Sequence, residues 1–556
     1  LIEDLKMRKE FWTKIIIAVF IIIIFSGFFS GNDDVYLKIS KNIDLFTRIY
    51  KEIALNYVDD VDPEEFMKAG INGMLQTLDP YTVFIDEDKK EDIDLMTNGK
   101  YGGVGISIGV RGDDVTVTEV MDGYSAQRQG IRVGDILIMA SDKKISSENV
   151  DDISSLVKGE PGTTVQIKIT RNEKKDTLIF NLIREEVILK NLTYFGFFPE
   201  NSGNVYLKLS NFSRTAADEI KNAIKQLSAQ KKIESIVLDL RGNPGGLLDV
   251  AVDICDKFLQ KNLLIVTTKG REEFAEKKYF SEQEPIAGDS KLVVLIDGGS
   301  ASASEIVAGA IQDHDRGIIV GTKSFGKGLV QTISPIGINT SLKITTAKYY
   351  TPSGRCIQKI DYSKSNDDKL NENKFDAEAF TTDNKRTVFS AGGITPDSTV
   401  EFQIQGGITK DLLAKGLFFQ FADAYYYAHT NQRFDKLQPK TLLKDFEKYL
   451  SEQDYIYHSE TEKQIDKIIS EMNKIDLDEQ TGNDLRKIQE RIAKVDEESF
   501  KKYESEILLE IKNELSVRYL GVSEKVKMML EADPQFQTAY RILTNQNLYK
   551  RLLHSN

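Results

Sequence analysis

Two short segments of this chain hold residue types that can carry out acyl transfer. Gly298-Gly-Ser-Ala-Ser302-Ala-Ser-Glu305 opens an apolar helical pattern, and Gly326-Lys327-Gly328-Leu-Val-Gln331 comes after it. A serine hydroxyl becomes a nucleophile when a neighbour takes its proton. Lysine can be that neighbour when its ammonium is desolvated, because burial disfavours the charged form. Gly326 and Gly328 allow close backbone approach, and Leu329-Val330 supply apolar surroundings. If 327–333 is a strand, alternation puts Lys327, Leu329 and Gln331 on one face, so Gln331 can hold the amine toward the serine. The spacing leaves Ser300, Ser302 and Ser304 all open as the nucleophile. Ser302 to Glu305 also fits S-x-x-E, the pattern of an ordinary helix-capping box.

Rival chemistries fit less well. The four histidines are His314, His429, His458 and His554. His314 lies twelve residues beyond Ser302 in what reads as one helix, roughly 18 Å at ~1.5 Å per residue and out of proton-transfer reach. The other three sit in a polar C-terminal region without a motif around them. Gly321-Thr-Lys-Ser-Phe-Gly326-Lys327-Gly328 matches G-x-x-x-x-G-K, but Gly328 stands where a phosphate-binding loop needs Ser or Thr. The next residues, Leu329 to Ile333, read as strand rather than helix, which excludes nucleotide binding. The reaction needs no metal and no cofactor.

The elements around these segments are legible. Ile236 to Leu240 is a short buried strand pattern that runs into Arg241-Gly-Asn-Pro-Gly245-Gly246, a turn whose N–H groups can bind an anion. Ala251, Ile254, Cys255, Phe258 and Leu259 recur at helical spacing, so Cys255 reads as core rather than nucleophile. Ile465, Ile468, Ile469, Met472 and Ile475 mark one later amphipathic helix, and Ile507, Leu508, Ile511 and Leu515 another. With two cysteines there is no disulfide framework. A formal charge of −13 argues against a nucleic-acid surface.

These motifs, in order and correctly spaced, resemble the C-terminal processing peptidases (tail-specific proteases), serine peptidases with a Ser-Lys pair. The resemblance covers roughly 40–405. It implies Ser302 as nucleophile, Lys327 as general base and Gln331 as its orienting partner. A helix start at Ser302 favours a developing oxyanion, with the Ala303 N–H as first donor. By resemblance a glycine N–H of the LRGNPGG stretch completes the hole, Gly245 or Gly246. Tyr350-Thr-Pro-Ser-Gly-Arg355, Gly393-Ile-Thr-Pro-Asp397 and Leu78-Asp-Pro-Tyr also match, the last in a region the family links to dimerisation, which leaves room for a homo-oligomer.

Residues 99–185 look like a PDZ domain. Gly102-Gly103-Val104-Gly105-Ile106 resembles the loop that captures a free C-terminal carboxylate, and Gly130 to Ile138 matches the middle of bacterial-type PDZ domains. The resemblance implies substrate choice by chain ends with apolar side chains. It also makes Arg171 a candidate for coupling this module to the protease.

The expected architecture is a multidomain α/β chain. It comprises a signal anchor or signal peptide (1–32), a helical N-terminal region (33–98), an inserted PDZ domain (99–185), a mixed α/β protease core (186–405) with an exposed polar loop at 360–385, and a helical C-terminal extension (406–556). The extension is expected to serve self-association or partner docking. Lys6, Arg8, Lys9 and Lys14 precede the apolar run 15–29, and no small-x-small cleavage site lies in 25–32. The segment therefore reads as an anchor, single-pass, with the bulk of the chain exported. Met7 fits as an initiator. The expected function is an extracytoplasmic serine endopeptidase that recognises free protein C-termini. The alternative is a non-catalytic PDZ scaffold on an inactive protease fold.

Overall fold

A computed structural model describes residues 33–554, except 87–94, 96, 113, 148–155, 172–175, 272–275, 363–376, 403–404 and 473–478. The N-terminal anchor expectation lies outside these residues, as does much of the 360–385 loop. Among the described residues no helix is long and apolar enough to cross a membrane.

The chain divides into two compact units, Leu1–Phe84 and Ile85–Asn556. The first holds α1 (Asp33–Asn56) and α2 (Pro63–Leu75). Asp62 caps α2 by accepting from the Glu64 and Glu65 N–H groups, and Pro63 takes the first-turn position that lacks a carbonyl partner anyway.

In the second unit, β1 (Lys100–Gly103) pairs antiparallel with a strand at Glu185–Ile188 and closes the neck of a small domain. Its sheet runs β2 (Ile106–Arg111), β3 (Asp114–Val120), β4 (Ile136–Ala140), β5 (Thr164–Arg171), β6 (Asp176–Ile183), with a short helix, α3, at Ser125–Gln129. Alternation sends Val165, Ile167 and Ile169 of β5 into one core with Val115, Val117 and Leu137. The edge of β2 away from β3 is unpaired among the described residues. Arg171 is an internal strut of this domain: its Nε and Nη2 reach the buried Asp135 carboxylate at 2.6 and 2.7 Å, and Nη2 also donates to the Gly130 carbonyl at 2.8 Å.

The protease core is a six-stranded sheet in the order β7 (Leu192–Phe197), β8 (Asn204–Leu209), β9 (Ser235–Asp239), β11 (Lys291–Ile296), β12 (Ile318–Gly321) and β15 (Ser398–Thr399). All neighbours are parallel except the first pair. Near-continuous apolar strands are what a sheet covered on both faces requires. Leu292, Val294 and Ile296 face a core shared with α4 (Ala216–Gln230), α5 (Leu248–Cys255) and α6 (Ala303–Asp313), where Cys255 is fully buried as expected. β10 (Leu264–Gly270) pairs with the long hairpin of β13 (Leu329–Gly337) and β14 (Thr340–Tyr350) through β14.

The other face of the sheet is covered from the end of the chain. Val293 and Leu295 pack with Phe536, Ile542 and Leu543 of a helix at Pro534–Thr544 and with Tyr549 of the helix after it. The extension from 406 is thus helical, as expected, but it has two parts. Helices between Gly407 and Leu520 build a core of their own around Phe418, Phe421, Phe446 and Ile511, whereas the last helices complete the protease fold. The first part also meets the PDZ-like domain. Arg111 and Arg518 lie 5.8 and 4.5 Å from the centre of the Phe419 ring, and Asp423 sits where a side chain on Gly134 would be.

Candidate active site

Ser302 is the N-cap of α6, with φ 54° and ψ −110°, a conformation that L residues rarely adopt. Its neighbours in the serine run are spoken for. Ser300 and Ser304 are fully buried, and their hydroxyls donate to the carbonyls of Leu240 at 2.9 Å and Asn243 at 3.0 Å. Ser302 is partly exposed. Of the three, it alone is not fully buried, and it sits on a strained backbone, the kind of outlier that collects at functional sites.

One carboxylate then draws the two halves of the site together. Glu305 is fully buried; its Oε2 accepts from the N–H of Ser302 at 2.8 Å and of Lys327 at 2.9 Å, and its Oε1 from Gly326 N–H at 2.7 Å and Ser324 Oγ at 2.6 Å. Two nitrogens bound to one oxygen at those lengths lie within about 6 Å of each other. Segments far apart in sequence are therefore pinned side by side. The capping pattern at Ser302 is present, but its acid does more than cap. Burial drives the Glu305 carboxyl up to about 7, against the pull of its four donors.

Lys327 is half-buried and precedes β13 rather than lying within it. The register shift between Val330 and Gln331 places the extra residue, Thr346, on β14, so Leu329 and Gln331 keep the alternation of β13 while Lys327 lies just before that strand. The Gln331 amide donates to Thr345 Oγ1 at 3.2 Å. Gly328, on the other side of the lysine, donates its N–H to Gln358 Oε1 at 2.6 Å.

The 241–246 loop meets the serine turn edge to edge. The Asn243 carbonyl accepts from Ala301 N–H at 3.0 Å, and the Asn243 side chain binds the Leu209 carbonyl and the Gly245 N–H, each at 2.9 Å. The two glycine candidates separate here. A Cβ on Gly245 would lie 2.9 Å from Ala303 N and 3.0 Å from Ser302 Cβ, whereas one on Gly246 would strike Phe212. Gly245 is the one against the serine, with its N–H turned to Asn243. Ala303 is the first helical residue, whose N–H has no intrahelical acceptor.

The rejected base stays rejected. His314 ends α6, and its ring nitrogens face Asp383 Oδ2 at 2.8 Å and the Leu264 carbonyl at 2.7 Å. The outlying motifs brace α6. Arg355, fully buried, donates to Gln312 and Asp313, both at 2.8 Å, and Asp397 accepts from Gln312 at 2.8 Å and from Ile319 N–H at 2.7 Å. The sequence reading missed Glu305 as a clamp. The only signal available was an acid in an otherwise apolar helical run.

Glu305 gives a pH-dependent prediction. Its ordinary value is 4.5 and its folded value about 7, so the folded chain holds the proton more tightly than the unfolded one. This residue favours folding fully below about pH 4.5 and withdraws that support as pH rises through about 7. Glu305→Gln does not ionise and is expected to lose that slope in thermal unfolding measured across this window. Turnover should also fall about a hundredfold, because an amide has one accepting oxygen where the carboxylate has two, so either the Gly326 N–H or the Ser302 and Lys327 N–H pair loses its acceptor. A wild-type slope with wild-type turnover would contradict the clamp.

The comparisons agree with this layout. Residues 204–364 match the model of peptidase family S41, 102–182 a PDZ domain, 408–543 the C-terminal helical domain of a probable PDZ-protease, and 30–89 the N-terminal domain of the activating protease CtpB. The carboxy-terminal-processing protease of Bartonella bacilliformis is 37% identical over 58% of this chain and 73% of its own length. The carboxy-terminal processing protease CtpB of Bacillus subtilis is 31% identical over 57% of this chain and 66% of its own length. Among solved structures, the photosystem II D1 C-terminal processing protease aligns with 64% of this chain and 92% of its own, at 24% identity and a TM-score of 0.35. With the family-model matches falling on the domains of the fold, and a carboxy-terminal-processing protease 37% identical over 73% of its length, the chain belongs to the S41 family of carboxy-terminal processing serine proteases.

Proposed function

We propose that this chain is an extracytoplasmic endopeptidase that captures free protein C-termini on its PDZ domain and cleaves with Ser302 and Lys327. Ser302 Oγ attacks the scissile carbonyl carbon while its proton passes to the neutral Lys327 amine. The C–N bond then breaks as Lys327 returns that proton to the leaving nitrogen, and water releases the acyl group from Ser302 by the reverse sequence. The Ala303 N–H and the Gly245 loop stabilise the oxyanion, and Gln331 orients the lysine once substrate is in place. The observation that carries this reading is the Glu305 carboxylate, which holds the Ser302 and Lys327 amides on one oxygen.

The PDZ domain supplies the specificity in this reading. The turn Gly103-Val104-Gly105-Ile106 leads into the open edge of β2, where a peptide can add as a further strand. Tyr124 lies where a side chain on Gly105 would be, so the loop there passes close to the ring. The basic residues before the apolar run 15–29 support anchoring with the catalytic part outside the cytoplasm; an alkaline phosphatase fused after residue 32 should be active, and an inactive fusion would reverse the topology.

The test compares a peptide with an apolar free C-terminus and its amidated twin, each with wild type and Ser302→Ala. Cleavage of the free form alone, lost in Ser302→Ala, is the expected result. Binding without cleavage would favour the scaffold alternative, and cleavage by Ser302→Ala would refute the assigned nucleophile.

A further inference from the structure

The end of the chain reaches the glycine loop through one charged contact. Asp533 is the N-cap of the helix Pro534–Thr544: its Oδ1 accepts from the Gln535 and Phe536 N–H groups at 2.9 and 3.1 Å. Its Oδ2 lies 2.6 Å from Arg241 Nη1, which also donates to the buried Gln535 Oε1 at 2.9 Å. Arg241 opens the 241–246 loop. Its other side is held by Asp239, which accepts from Nη2 at 2.6 Å, from the Arg241 N–H at 2.9 Å, from Lys208 Nζ at 3.2 Å and from Tyr206 OH at 2.6 Å.

Counting charge shows why a second acid is needed. Asp239 is fully buried and faces two cations, Arg241 and Lys208. Burial would push its carboxyl up, yet these neighbours hold it below its ordinary value. One carboxylate cannot neutralise both, and a guanidinium left short of a partner in a buried site is costly. Asp533 supplies the missing charge. The loop beyond Arg241 is then pinned at each step: Gly242 N–H to Asp297 Oδ1 at 2.8 Å, the Asn243 carbonyl to Ala301 N–H at 3.0 Å, and Gly245 against Ser302.

We propose that Asp533 is a positioning residue of the active site, through which the C-terminal helical segment holds the Arg241–Gly246 loop in register with Ser302. This rests on the proposed function, in which Ser302 and that loop form the reacting centre. It gives the last helices a part in turnover beyond covering the sheet. The ion pair is separable from that cover, because Phe536, Ile542 and Leu543 keep the helix seated by apolar packing.

Asp533→Asn isolates the contact. Asparagine caps a helix as well as aspartate does, so the helix start is retained and only the charge is lost. In the full chain, with the free-C-terminus peptide as substrate, kcat is expected to fall about tenfold or more, while KM and the affinity for that peptide in a Ser302→Ala background stay near wild type and Tm falls only modestly, leaving the chain folded at the assay temperature. Asp533→Ala removes cap and charge together; it should show the same loss in kcat with an additional drop in Tm. Unchanged kcat in Asp533→Asn, beside an active wild type and an inactive Ser302→Ala, overturns the proposal. So does a loss that merely tracks the unfolded fraction. A wild type that does not cleave, or a Ser302→Ala that does, instead removes the proposed function and this proposal with it.

Discussion

Lys327→Ala is expected to abolish turnover, by about four orders of magnitude or more, as loss of one member of a concerted catalytic unit does. The fold should survive. What Glu305 grips is the Lys327 backbone N–H, at 2.9 Å, and that hydrogen bond does not depend on the side chain. Tm and the affinity for a free-C-terminus peptide should therefore match wild type, which assigns the loss to chemistry. Lys327→Arg sharpens the test. Arginine keeps the positive charge and most of the length but does not deprotonate in a protein, so it cannot accept the serine's proton. It is expected to be as inactive as alanine. Rates near wild type in either variant, measured with the apolar peptide, would remove lysine as the base. Activity retained in arginine alone would make the residue an electrostatic partner instead.

Ser302 was legible at the start of α6 because an S-x-x-E pattern before an apolar helical run is a local signal, and local signals survive folding. Choosing it over Ser300 and Ser304 by physics alone required knowing which hydroxyls face backbone carbonyls. Those carbonyls belong to Leu240 and Asn243, some sixty residues earlier. A shorter gap in sequence, 19 to 22 residues, hid the second task of Glu305, whose further donors come from 324–327. Periodicity marked the late helices but could not say what their apolar stripes cover. Residues around Ile507 and Ile511 pack among themselves, while Phe536 and Leu543 cover the protease sheet. Arg171, read as a coupling residue, is bound at home by Asp135. The strand read from Lys327 begins instead at Leu329, so its alternation covers Leu329 and Gln331 and stops short of the lysine.

Gly245→Ala should also be severely damaging, though less so than loss of the lysine, for a reason of shape rather than charge. Gly245 has φ 100°, where a side chain is strained in any surroundings. An added Cβ would also stand 2.6 Å from the Ala301 carbonyl oxygen and 2.9 Å from the Ala303 nitrogen. The loop must therefore withdraw from the serine turn, carrying its N–H groups away from the place where the oxyanion forms. Loss of one such donor lowers kcat by about a hundred- to a thousandfold. Gly246→Ala is the matched control. Its φ is 156°, and its Cβ would meet the Phe212 carbonyl oxygen at 2.5 Å, away from Ser302 and within the bridge that joins Phe212 to Gly246. That variant should lose stability first, with a lower Tm and a smaller loss of kcat measured well below it. Equal losses of kcat at equal Tm would mean that the loop acts as one rigid unit. A fully active Gly245→Ala would mean that the oxyanion is stabilised from the Ala303 side alone, with the glycine required only for packing.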